Sequence, residues 1–145
     1  MNPSESTTFV PILTVLAEYG NAPFLWLVDR PSQAGVGPNL CDGTFWDESF
    51  PMSEGLWRKF ADWAIEFDQT SFFLEDFDDS GWDWIAFHKR GLQLSRWLKE
   101  EVGEAYRIVY YKPFEDPNYR INGRTEILAD GTLAPLPPFQ NTPGC

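Results

Sequence analysis

The chain is poor in cysteine, histidine and basic residues, and each shortage excludes a class of protein. Of its 145 residues only Cys41 and Cys145 are cysteines, and only His88 is a histidine. Two distant thiols and one imidazole supply neither a disulfide framework nor the ligand spacing of a zinc site. The 11 Lys and Arg stand against 22 Asp and Glu, a formal net charge of −11. A phosphate-backbone binder needs a basic face, so we expect no direct binding of nucleic acid.

Long hydrophobic runs and the sequence signatures of common enzymes are missing as well. Without an 18-residue apolar run or a basic N-terminal segment, we expect no membrane span, no signal peptide and a location in the reducing cytoplasm. No Gly-x-Gly-x-x-Gly, Walker A or Gly-x-Ser-x-Gly sequence occurs. A calcium loop that would begin at Asp76 fails because its twelfth residue is Phe87 rather than Glu. We therefore predict no cofactor, no resident metal and no enzymatic activity.

What the chain does contain is typical of one globular domain rich in aromatic residues. Hydrophobic residues make up 43%, charged residues 23% and aromatic residues 17% of the sequence. A chain of this length buries a core without disulfides or metals. We predict one domain over residues 1–145, with a frayed N-terminus at 1–8 and an extended proline-rich tail at 137–145.

The hydrophobic pattern predicts an α+β fold. The predicted strands span residues 9–16, 24–28, 105–112, 124–128 and 132–136, and the predicted helices span residues 54–67 and 82–102. The long irregular stretch 29–52 contains one further candidate strand, at residues 44–46. This order predicts a small antiparallel or mixed sheet with two helices packed on one face.

Local signals set the predicted ends of these elements. Ser53 precedes the first apolar turn of the first helix and is a candidate N-cap. Gly103 stands where a left-handed C-terminal cap is wanted, and Asp130-Gly131 is typical of a hairpin turn. Gly91 lies on the apolar stripe of the second helix, so we expect another backbone to pack closely against it. His88 is expected to be a surface or half-buried residue without a catalytic role.

Acidic residues are concentrated in one stretch, residues 42–83. This stretch contains twelve Asp and Glu but only Arg58 and Lys59 as bases, a net charge of −10, whereas the rest of the chain carries −1. Either it is a solvated, solubilising face, or it is a docking surface for a basic partner. Interleaved aromatic residues favour docking, because such side chains anchor protein interfaces. The predicted partner contacts are Glu75, Asp76, Asp78, Asp79 and Trp82, followed by Trp46, Asp47 and Glu48. Phe72 and Phe77, in contrast, are expected in the core.

Several short segments resemble a known group of proteins. They are Leu16-Ala17-Glu18-Tyr19-Gly20-Asn21-Ala22-Pro23, Met52-Ser53-Glu54-Gly55-Leu56-Trp57, Phe60-Ala61-Asp62-Trp63-Ala64, Glu66-Phe67-Asp68, Ser80-Gly81-Trp82, Phe87, Arg90-Gly91-Leu92, Leu94, Leu98-Lys99-Glu100-Glu101-Val102-Gly103 and Tyr106-Arg107-Ile108-Val109-Tyr110. The pattern, over about residues 12–112, resembles small acidic bacterial proteins that look like immunity proteins of polymorphic toxin systems, including contact-dependent growth inhibition. Its motifs mark strand ends, helix caps and core positions, and none is a catalytic signature.

The resemblance implies a cytoplasmic antidote. Such a protein would bind the basic C-terminal toxin domain of a large secreted effector, in many cases a nuclease, and would block its active site or substrate surface. Two other functions stay open: a general protein-binding adaptor, and a small hydrolase that uses acidic residues, with or without a divalent metal. The toxin's identity and substrate, the blocked surface, the oligomeric state and the order of residues 113–145 lie beyond what the sequence predicts.

Overall fold

The computed structural model describes residues 9–30, 36–70, 82–113 and 115–137. The strands are β1 (Ile12–Val15), β2 (Leu25–Val28), β3 (Asn39–Cys41), β4 (Arg107–Tyr111), β5 (Arg124–Ile127) and β6 (Leu133–Pro135), and the helices are α1 (Glu54–Asp68) and α2 (Trp84–Val102). The sheet order is β3-β2-β1-β4-β5-β6. β1 and β4 are parallel and the other neighbours are antiparallel, so the sheet is mixed and open. The predicted α+β class is confirmed.

The two faces of the sheet carry different side chains because residues alternate along each strand. Leu13, Ile108 and Ile127 lie side by side on the face that meets the helices, and each is at most 1% exposed. On the opposite face Thr14 and Val109 are neighbours, and Arg107 forms a two-bond ion pair with Glu126 on β5. The core therefore lies between the first face and the two helices.

Both helices follow the predicted apolar stripes. Ser53 is the N-cap of α1, since its hydroxyl accepts a hydrogen bond from Leu56 N. Glu101, at the end of α2, accepts bonds from the Ser53 backbone N–H and hydroxyl, both at 2.7 Å, and so ties the start of one helix to the end of the other. The second helix begins two residues later than predicted, because Asp83 caps it. Gly103 ends the second helix with the expected positive φ of +62°, but its ψ of −137° lies outside the left-handed helical region, so the predicted left-handed cap does not form.

The prediction of a strand at residues 44–46 is wrong. The strand within the stretch 29–52 is β3, at Asn39–Cys41. Asp42 ends β3 because its side chain accepts hydrogen bonds from both the backbone N–H and the hydroxyl of Thr44. Upstream, Leu27 N donates to Pro38 O, which starts the pairing of β3 with β2. The Asn39 side chain then bonds the carbonyls of Leu25 and Cys41. The buried Cys41 faces the core, where burial, followed by the charge of Asp42, raises the pKa of its thiol to about 12.

The remaining strand boundaries fall up to three residues inside the predicted ones, and α1 ends one residue later than predicted, at Asp68. The strand predicted at 9–16 is confirmed only over Ile12–Val15, and the strand predicted at 105–112 only over Arg107–Tyr111. The late hairpin is confirmed, with Gly131 at φ +86° in its turn. Residues 1–8 and 138–145, together with the core candidates Phe72 and Phe77, lie outside the described residues. None of the helices in the described ranges is long and apolar enough to cross a membrane.

The close packing at Gly91 differs from the prediction that another backbone would lie against it. Aromatic rings, not another backbone, pack against it: a Cβ added there would lie 2.5 Å from Tyr110 Cε1 and 2.7 Å from Trp63 Cζ2. Trp63 also stacks on Phe87 with centroids 4.7 Å apart, and its indole N–H donates to Phe87 O at 2.9 Å. The absent side chain thus lets α1, α2 and β4 meet through two rings.

We expect Gly91→Ala to lower the free energy of unfolding. The methyl group overpacks two buried rings, which costs about 1–3 kcal/mol and outweighs the gain of about 1 kcal/mol in helix propensity. Gly55→Ala is the matched control, since a Cβ there meets nothing within 4 Å. Urea unfolding should show the control as stable as the wild type or more stable; equal stabilities for both variants would contradict this packing.

Candidate protein-binding surface

A well-anchored loop follows β3 and carries three of the acidic side chains. We call residues 42–52 the acidic loop, because Asp42, Asp47 and Glu48 lie in it and no base does. Gly43 N donates to Asn21 O at 2.9 Å, and the Trp57 indole N–H donates to Asp42 O at 3.0 Å. The loop is therefore fixed both to the β1–β2 turn and to α1.

Short-range hydrogen bonds give the acidic loop its shape. The Asp47 carboxylate accepts a bond from Ser49 N at 2.8 Å, and this bond lowers the pKa of Asp47. Phe50 N donates to Asp47 O, which closes the same turn. Aspartate favours such turns because its side chain bonds the backbone two residues on. Asp47 thus combines a structural bond with an exposed negative charge.

The two neighbouring rings of this loop point in different directions. Trp46, a predicted partner contact, is half-buried against the core, and its indole N–H donates to Met52 O at 3.0 Å. Phe45, which the sequence analysis did not single out, is 56% exposed. Asp47 and Glu48, also predicted contacts, are exposed. Adjacent rings give no sequence signal of which one turns inwards, so Phe45 was missed.

Helix α1 extends the negative surface. Its exposed carboxylates are Glu54, Asp62 and Glu66, and Asp68 at its C-terminal end accepts a bond from Gly20 N. Glu66 is bound bidentately by Arg90 of α2, with both N–O distances 2.7 Å. Among the described residues, Asp47, Glu48 and Asp62 take part in no salt bridge.

The first-ranked predicted contacts fall mostly outside the described residues. This applies to Glu75, Asp76, Asp78 and Asp79. Trp82 is described, and it is half-buried in an aromatic cluster with Trp84 and Phe87, at centroid distances of 5.7 and 5.2 Å. Close to this cluster, in the first turn of α2, Ile85 is 82% exposed. Trp82, a predicted partner contact, is therefore packed partly against the core.

A polar network that the sequence did not reveal lies behind α2. The two ring nitrogens of His88 lie 2.7 Å from the Tyr110 hydroxyl and 2.6 Å from Asp116 Oδ2. A carboxylate only accepts, so Nε2–H donates to Asp116 and Nδ1 accepts from Tyr110. Tyr110 and Asp116 are each 2% exposed. Their separations from His88, 22 and 28 residues, carry no recognisable spacing.

The network has a structural role, because its side chains are largely buried and both ring nitrogens of His88 have hydrogen-bond partners. Desolvation lowers the pKa of His88, although the hydrogen bond that His88 donates to Asp116 and the charge of Asp116 raise it, and the charge of Lys112 lowers it further. The Tyr110 pKa is raised well above its usual value, first by burial and then by the charge of Asp116. With both ring nitrogens engaged, His88 holds the segment after β4 against α2. In the described ranges no group of three or more His, Cys, Asp or Glu side chains is placed to hold a metal ion.

Comparisons with protein-family models, with curated proteins and with solved structures found no match to this chain.

The His88 network predicts a specific dependence of stability on pH. Because the folded-state pKa of His88 lies below its ordinary value of 6.5, the unfolded chain binds more protons just below pH 6.5. The contribution of His88 to the free energy of unfolding should therefore be fully present well above pH 6.5. It should be lost as the pH falls below 6.5, by at most about 1.4 kcal/mol per pH unit.

Urea unfolding of the wild type and of His88→Gln at several pH values between 5 and 8 measures this contribution. The variant has no imidazole to protonate, so its stability should change less between pH 6.5 and 5.5. Because the carboxylates titrate in both proteins, parallel pH curves would show that His88 contributes nothing.

Proposed function

We propose that this chain is an immunity protein that binds a basic toxin domain of a bacterial competition system and neutralises it in the cytoplasm without catalysis of its own. The observation that carries the proposal is the negative surface of the acidic loop, which has no base, together with the outer side of α1, where carboxylates outnumber the two exposed bases Arg58 and Lys59. From residue 31 to residue 57 the chain has no Lys, Arg or His. Such a surface repels anionic ligands and attracts a cationic protein.

The anchoring of the acidic loop also supports binding to a protein. Ordering a mobile loop costs free energy at the moment of association, and a pre-organised loop avoids part of this cost. The bonds from Gly43 to Asn21 and from Trp57 to Asp42 attach the loop to two separate elements. The carboxylates of Asp47 and Glu48 are thus presented from a fixed backbone.

A nuclease is the kind of toxin that this surface suits best. Nucleases bind the phosphate backbone through clustered Lys and Arg. Spaced carboxylates on a rigid surface occupy the same cationic site in place of phosphates, and they exclude the nucleic acid. We expect an interface of about 1,600 Å² in total and an association rate of about 10⁸ M⁻¹s⁻¹ at low salt.

The direct test is capture of the partner from the bacterium that encodes the chain, with the tagged protein at low salt. The proposal expects a basic toxin domain, released as the salt concentration rises, because screening weakens attraction between exposed charges. A neutral or acidic partner that stays bound at high salt would contradict it and favour an adaptor role.

Charge reversals with matched controls locate the binding surface. We expect Glu48→Lys with Asp62→Lys to slow association with the captured domain by about ten-fold at low salt. Neither side chain has a salt bridge among the described residues, so the fold should survive. Glu100→Lys with Glu104→Lys makes the same charge change at exposed positions on α2 and in the turn that follows it.

Stopped-flow association rates for both double variants decide the matter. The control should slow association much less than the acidic-surface variant, because both of its residues lie outside the acidic loop and α1, and Glu100 lies beside the β5–β6 turn at the sheet edge opposite β3. Equal rates for the two variants would mean that only total net charge matters, and the proposed surface would be wrong.

A further inference from the structure

Phe45 is an apolar feature that the fold leaves without a full set of neighbours. At 56% exposure it is the most exposed aromatic side chain of the described residues. Among the described aromatic rings it pairs with the half-buried Phe50, with centroids 5.8 Å apart and planes tilted by 42°. A large ring on a well-tied loop costs hydration free energy unless a partner covers it.

The charges around Phe45 define what can cover it. Asp42 and Asp47 lie three and two residues away, and Glu48 follows directly. Thr44, Phe45, Asp47 and Glu48 are exposed, whereas Trp46 in the middle of them is half-buried. The Phe45 ring and the Asp47 carboxylate therefore both face solvent. An apolar partner without positive charge would leave these carboxylates desolvated and unpaired.

We infer that Phe45 receives an arginine side chain of the basic partner, whose guanidinium stacks on the ring and pairs with a neighbouring carboxylate. Arginine fits better than lysine, since its planar, weakly hydrated head group stacks on aromatic faces and pairs with carboxylates in a fork. The chain makes the same kind of contact internally: Arg120 lies 5.2 Å from the centre of the Tyr119 ring, and Arg124 lies 5.4 Å from that of Tyr111. This inference rests on the proposed function, because it names the recognition chemistry of that partner.

Two peptides of equal charge, octa-arginine and octa-lysine, separate stacking from simple attraction between charges. Isothermal titration at low salt should show that the wild type binds octa-arginine about 2- to 5-fold more tightly than octa-lysine. In Phe45→Leu, which keeps an apolar group but has no ring face, this preference should disappear. Ile121→Ala, at another exposed apolar position, is the control and should keep it.

The outcomes are distinct. A wild type without preference for arginine, or a Phe45→Leu variant that keeps the full preference, overturns the inference. Thermal unfolding of each variant shows whether its fold is intact. Phe45→Tyr keeps an aromatic ring, so it should show the same preference for octa-arginine as the wild type. If Tyr fails to restore it in a folded protein, the inference is also wrong.

The captured toxin domain separates this inference from the proposed function. If the wild type binds that domain and Phe45→Leu binds it equally well, the proposed function stands and the role of Phe45 falls. If no basic toxin domain is captured although the arginine preference depends on Phe45, the proposed function falls and the recognition chemistry stands.

Discussion

The position of Trp63 against Gly91 is the constraint on which the rest of the structure depends. The Trp63 ring lies where a side chain at residue 91 would be, stacks on Phe87 and approaches Tyr110, with centroids 6.0 Å apart. Because protein interiors are close-packed, these contacts fix the distance between α1, α2 and β4. They also bring Tyr110 to the level of His88, so the buried polar network depends on the same small residue.

The position of the acidic loop depends on this core. Trp57 lies on α1 less than two turns before Trp63, and its indole N–H holds the loop at Asp42. Phe60, between them, stacks on Phe24 near β2, with centroids 5.0 Å apart. The carboxylates are thus positioned by buried aromatic side chains, not by bonds to one another. Mutual repulsion among these acids is held in check by the core, which supports a role that requires the charge to stay concentrated.

Local patterns predicted the elements whose boundaries depend on nearby residues. The Ser53 cap, the stripes of α1 and α2 and the turn at Asp130-Gly131 all have signals within a few residues. Strand β3 was misplaced because its three residues pair with β2 through contacts that no short pattern encodes. His88, Tyr110 and Asp116 meet only through the tertiary fold. Within the predicted surface, the sequence correctly predicted that Asp47 and Glu48 are exposed charges. The inward turn of Trp46 and the exposure of Phe45 depend on the conformation of the whole loop.

Hydrogen–deuterium exchange of the free protein and of its complex with the captured partner tests the central claim most directly. The claim is that a basic protein binds the surface formed by residues 42–52 and the outer side of α1. We predict slower exchange in residues 42–52 and in the first turns of α1 on binding, with little change in β5 and β6. Protection confined to the sheet face around Arg107 and Glu126, with unchanged exchange in the acidic loop, would contradict the account.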